Sequence, residues 1–96
     1  MKTMYVYIMT GKSNSTFYVG VTSDLVRRVW EHKNKLYDGF TARYNLNKLV
    51  YYEVYDDELT AIEREKDLKK FYKKTKRIMI ESQNKYYDDL YETLLR

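Results

Sequence analysis

The chain has no cysteine, no proline, one histidine and three glycines among its 96 residues. Without cysteine there is no disulfide framework and no thiolate metal site. A lone histidine cannot assemble a zinc centre by itself. No apolar stretch approaches the ~20 residues that a membrane-spanning helix needs. The opening Met-Lys-Thr-Met-Tyr carries no apolar core of a secretory signal. One cytoplasmic domain over residues 1–96, without membrane association, is therefore the expectation. No serine is placed as a nucleophile beside a base, and no dinucleotide glycine pattern occurs. Gly11-Lys12-Ser13 matches the end of a phosphate-binding loop, but the preceding glycine is missing and a strand follows instead of a helix. There is no internal repeat, linker or low-complexity stretch.

What is present is tyrosine and charge. Twelve tyrosines fill space while each keeps one polar atom, so some hydroxyls are expected to line a groove while most pack against a small sheet. Charged residues make up 33% of the chain and the net charge is +4, a mild pointer to a polyanionic partner.

Residues 4–9 (Met-Tyr-Val-Tyr-Ile-Met) read as a buried strand. A short Thr/Gly/Lys/Ser/Asn loop leads to a second strand at residues 16–21, and so brief a connection implies an antiparallel hairpin. Tyr7 and Tyr18 can then approach each other across the pair. The pattern predicts a first helix beginning near Asp24, with Ser23 or Thr22 as cap. Leu25, Val29 and Leu36 form its buried stripe, and Arg28 and His32 lie four apart at the stripe's border. Asp38-Gly39 ends that helix, and a connection through Thr41 and Arg43 leads to a third strand at residues 49–55. A second helix is expected over residues 58–72, with Ala61, Leu68 and Tyr72 on its apolar face. Glu65 falls inside that face. A carboxylate there needs a partner, and two readings stand: an ion pair with a core-edge arginine, or a metal ligand or catalytic carboxylate. The C-terminal quarter suits a further short helix or two.

Residues 63–77 hold eight basic side chains against three acidic ones, more local excess than the whole chain carries. Lys69, Lys70, Lys73 and Lys74, with Lys33 and Arg43 from earlier segments, make a candidate phosphate-contacting surface. Tyr7, Tyr18, Arg28, His32 and Glu65 make the candidate site. One carboxylate can hold a hard cation such as Mg²⁺ mostly through water. An arginine can hold a phosphate oxygen, and the histidine or a tyrosine can move a proton from an attacking water.

The order Val6-Tyr7, Tyr18-Val19-Gly20, Arg28, His32 and Glu65 resembles the GIY-YIG nuclease domain, in particular its small stand-alone bacterial members, over roughly residues 4–83. The resemblance implies an α+β fold, β-β-α-β-α with an additional C-terminal helix, around a three-stranded antiparallel sheet. It also implies hydrolysis of DNA phosphodiester bonds with one divalent metal, Mg²⁺ or Mn²⁺, held by Glu65. Tyr7 would be the general base, assisted by Tyr18 and His32, and Arg28 would bind the scissile phosphate. Tyr5 departs from the usual glycine of the first triplet, and the absence of proline removes a segment found after the glutamate helix in many relatives. Asn84 stands where some relatives place an asparagine near the metal. So small a chain would draw specificity from DNA structure, a homodimer or a partner protein. The alternative is a nucleic-acid-binding module without catalysis on the same fold.

Overall fold

Residues 4–10 alternate between two apolar faces, and that alternation decides the architecture. The computed structural model describes residues 2–96. Its elements are β1 (Met4–Thr10), β2 (Phe17–Thr22), α1 (Leu25–Lys33), α2 (Gly39–Arg43), β3 (Lys48–Tyr55), α3 (Glu58–Lys70), α4 (Lys73–Gln83) and α5 (Tyr91–Leu94). Both β2 and β3 pair antiparallel with β1, giving the order β2-β1-β3. The expected α+β fold, a three-stranded antiparallel sheet flanked by helices, is what the chain adopts.

Because β1 is central, both of its faces are covered. Val6 and Ile8 pack with Val19 and Val50 against Ala61 and Leu68 of α3 and Ile80 of α4. Tyr7 and Met9 turn the other way, against Leu25 and Val29 of α1 and against Leu46 and Leu49. Each fully buried aliphatic side chain contributes roughly 1.5–3 kcal/mol. A bulge sets Ile8 opposite Tyr51 and Met9 opposite Leu49. Val50 is thereby the extra residue, and it joins Tyr51 on the α3–α4 face.

Four local readings need correction. The cap of α1 is Asp24, whose carboxylate accepts from Arg27 N at 3.1 Å, while Thr22 Oγ1 accepts from Asp24 N at 3.0 Å instead. The buried stripe of α1 excludes Leu36, which is 66% exposed. The helix stops at Lys33 because Lys35 turns left-handed (φ 59°). Lys35 N then bonds His32 O at 3.1 Å and Leu36 N bonds Glu31 O at 2.8 Å, the paired bonds of a Schellman ending. The segment after Asp38-Gly39 holds a short helix, α2, where a plain connection was expected. Finally, α3 ends at Lys70, since Phe71 and Tyr72 are extended (ψ 146° and 154°) and lead into α4. Tyr72 is therefore not on the apolar face; it is 83% exposed.

Candidate active site

Tyr7 stands opposite Gly20 in the β1–β2 register. A Cβ on Gly20 would lie 2.4 Å from Tyr7 Oη and 2.5 Å from its Cζ. The phenol thus occupies the space a side chain at position 20 would fill, so glycine serves here by having none. The ring crosses over Gly20 of the edge strand β2, and its hydroxyl stays buried there.

His32 receives that hydroxyl. Its Nε2 lies 2.9 Å from Tyr7 Oη and its Nδ1 lies 3.0 Å from Thr41 Oγ1. The imidazole is 1% exposed. It meets Tyr18 and Tyr37 edge-on, each with ring centroids 5.3 Å away, and Tyr7 at 5.7 Å. Burial, then the nearby Arg28 charge, lowers its pKa to about 4. Burial raises the Tyr7 phenol well above its ordinary range, against a lowering from Arg28. Tyr18 is raised by burial and then by the Asp38 carboxylate. At neutral pH the cluster is two neutral phenols and a neutral imidazole beside one fixed cation.

That cation is held on three sides. Arg28 Nε lies 3.4 Å from Glu31 Oε1, Nη1 donates to Val21 O at 3.4 Å, and Cζ sits 3.8 Å above the Tyr37 ring. The guanidinium also lies within hydrogen-bonding reach of the Tyr7 hydroxyl. Arg27, by contrast, lies at the surface, 73% exposed, and pairs with Glu31 at 3.3 Å.

Glu65 is not in this contact set. It sits on α3 between Ala61 and Leu68, whose buried side chains meet the face of the sheet opposite Tyr7. Its side chain is 15% exposed, and its ionic partner is Lys69 Nζ at 3.4 Å, itself 52% exposed, rather than an arginine. A largely buried carboxylate with one exposed counter-ion keeps oxygen lone pairs for a hard cation. Among the described residues no three His, Cys, Asp or Glu side chains gather into a metal cluster. Asn84 is committed elsewhere: its Nδ2 donates to Val50 O at 3.0 Å and Asp88 O at 2.9 Å, and its Oδ1 accepts from Asp88 N.

The basic side chains divide likewise. Lys69, Lys70, Lys73 and Lys74 belong to α3 and α4 on the far face, and all four are exposed. Lys73 donates to Ser15 O and Arg77 to Asn14 O at 2.7 Å, so both hold the β1–β2 loop. Arg64 grips Glu53 with two bonds, 2.9 and 3.0 Å, and leaves the exposed stripe. The Lys33 ammonium is taken by Asp89 and by Asn47 O. Arg43 is exposed on α2.

Two members of the cluster were not foreseen. Thr41 and Tyr37 reach His32 only because the Schellman ending turns the chain back under α1. No periodicity signals a contact across that irregular turn, although Asp38, which caps α2 by accepting from Phe40 N at 2.8 Å, marks where a helix could begin.

Residues 3–79 match the GIY-YIG catalytic domain. A UPF0213 protein of Staphylococcus saprophyticus is 32% identical over 72 residues, covering 75% of this chain and 87% of that protein. A UPF0213 protein of Clostridium perfringens is 34% identical over 80 residues, covering 83% and 85%. The solution structure of a UPF0213 protein from Bacillus halodurans superposes with a TM-score of 0.57 over 91% of this chain and 92% of that one, at 23% identity, which speaks to the fold.

Proposed function

The chain belongs to the GIY-YIG family of catalytic domains, and from that premise we propose that it is a divalent-metal-dependent endonuclease hydrolysing DNA phosphodiester bonds. The observation that carries the reading is the Tyr7–His32 contact laid over Gly20 with the Arg28 guanidinium beside it. A cation fixed by Glu31, Val21 and Tyr37 is ready for a phosphate oxygen and for the charge that grows on it during attack. Tyr7 takes the proton of the attacking water, with His32 behind it and Tyr18 walling the imidazole.

Glu65 would hold Mg²⁺ or Mn²⁺, with water and phosphate completing the ligands, and the ion would neutralise charge at the phosphate and the leaving oxygen. Glu65 and Arg28 come from helices on opposite faces of the sheet, and the free edge of β2 is where one phosphate can lie within reach of both. Arg43, Lys69, Lys70 and Lys74 would contact the flanking backbone. Lys33 is withdrawn from that role, since Asp89 neutralises it. Specificity is expected from DNA structure or a partner.

The test is incubation of purified protein with branched, single-stranded and duplex DNA, with and without Mg²⁺ or Mn²⁺. Metal-dependent nicking of at least one substrate is expected, abolished in Glu65→Ala and in Arg28→Ala. Cleavage undiminished in both variants would remove the site assignment. Binding without cleavage under every condition would make the chain a nucleic-acid-binding module.

A further inference from the structure

We propose that Thr41 is a positioning residue that locks His32 into the Nδ1–H tautomer, so that the bare Nε2 accepts the phenolic proton of Tyr7. The assignment follows from counting protons. Thr41 Oγ1 lies 3.0 Å from Tyr37 O, 3.1 Å from Asp38 O and 3.0 Å from His32 Nδ1. A hydroxyl has one proton, and two of these three neighbours are carbonyl oxygens that can only accept. Asp38 O already receives Ala42 N at 3.2 Å, whereas among the described residues no backbone N–H reaches Tyr37 O. The threonine proton therefore belongs to a carbonyl, and its oxygen is left as the acceptor for Nδ1–H. A neutral imidazole carries one ring proton. With Nδ1 protonated, Nε2 at 2.9 Å from Tyr7 Oη is the acceptor and Tyr7 the donor. The opposite tautomer would pull the threonine proton off Tyr37 O and leave that carbonyl without a donor.

The consequence for catalysis, which rests on the nuclease reading, is a direction. As the water oxygen bonds to phosphorus, its proton passes to Tyr7 Oη while the phenolic proton passes to His32 Nε2. The bond from phosphorus to the leaving oxygen breaks, and that oxygen keeps the electron pair and is protonated from solvent. The imidazolium, still donating from Nδ1 to Thr41, later returns its proton to water. Tyr7 is then the relay and His32 the proton's destination. Thr41 is the group that keeps the destination empty beforehand.

The tautomer can be read without any substrate, because His32 is the only histidine in the chain. In the ¹⁵N-labelled full chain near pH 7, two-bond ¹H–¹⁵N correlations should show a protonated Nδ1 and a bare Nε2. Thr41→Ser should keep that pattern, and Thr41→Val should move the ring toward Nε2–H. A wild-type ring protonated at Nε2 overturns the assignment, as does a folded Thr41→Val with an unchanged ring. Should Thr41→Val fail to fold, the wild-type and Thr41→Ser spectra decide it alone. In the cleavage assay Thr41→Val should lose about 10- to 100-fold in kcat with KM unchanged, part of what a positioned base supplies, and Thr41→Ser should recover it. The expected tautomer in a protein that cuts no DNA would bring down the nuclease reading and leave this assignment standing.

Discussion

Gly20 and His32 are tied together through one phenol, so a change at either end is felt at the other. In Gly20→Ala the new Cβ meets the Tyr7 ring at 2.4–2.8 Å. The ring is fully buried and must shift, which should cost about 1–3 kcal/mol in urea unfolding and break the contact to His32. His32 also gives stability a pH signature. Its pKa is about 4 when folded against an ordinary 6.5, so between these values the unfolded chain binds the extra proton. Stability from this group is complete above about pH 6.5 and is lost as pH falls toward 4, by about 3 kcal/mol in all. Wild type should lose that much more than His32→Asn between pH 7 and pH 4, and equal losses would contradict it. Arg28→Ala removes the second cause of the lowering, so the His32 ring should titrate higher than in wild type while burial keeps it under 6.5. That Tyr7, Tyr18, Arg28 and His32 come together was legible because hairpin pairing and an i,i+4 helix spacing bring them there, whereas Glu65 stands on the other face. Thr41 and Tyr37 were not legible, since what places them is an irregular turn.

Among the elements, strand and helix periods were legible to within a residue or two because β1 alternates cleanly between two buried faces. The ends were harder. Lys35 in the left-handed region looks like any surface lysine in the sequence, yet it decides that α1 stops before Leu36 and that the chain folds back to deliver Thr41. Lys35→Gly should relieve the left-handed backbone and raise stability by about 0.5–1 kcal/mol with cleavage unchanged; a loss in urea unfolding would contradict the ending described. Another element-level tie joins β3 to α3. Glu53 accepts two bonds from Arg64 and one each from Tyr51 and Tyr55, at 2.5 and 2.7 Å. Burial alone would raise this carboxyl, but Arg64 and the two phenols overrule it and hold it below its usual range. Arg64→Ala leaves the carboxylate largely buried without its cation, and a loss of about 1–3 kcal/mol is expected. That cost should shrink once acid protonates Glu53 in both proteins.

For the whole molecule the decisive fact is that the Tyr7–His32 cluster and the lysine-rich helices lie on opposite faces of one thin sheet. Counting charges along residues 63–77 concealed this, because the count included Arg64, Lys73 and Arg77, which already bond other groups of the protein. If DNA runs along the free edge of β2, the exposed Lys69, Lys70 and Lys74 meet its backbone from one side and Arg43 from the other. Each phosphate contact to duplex DNA contributes about 0.9 to the slope of log affinity against log salt. Changing Lys69, Lys70 and Lys74 to glutamine together should then flatten that slope by as much as about 3, leaving the fold intact, since none of the three anchors the β1–β2 loop. Arg43→Gln should flatten it by about 1. A triple variant with an unaltered slope, beside a flattened one for Arg43→Gln, would place the nucleic acid wholly on the α1–α2 side. Glu65, reached only from the other face, could then no longer share a phosphate with Arg28.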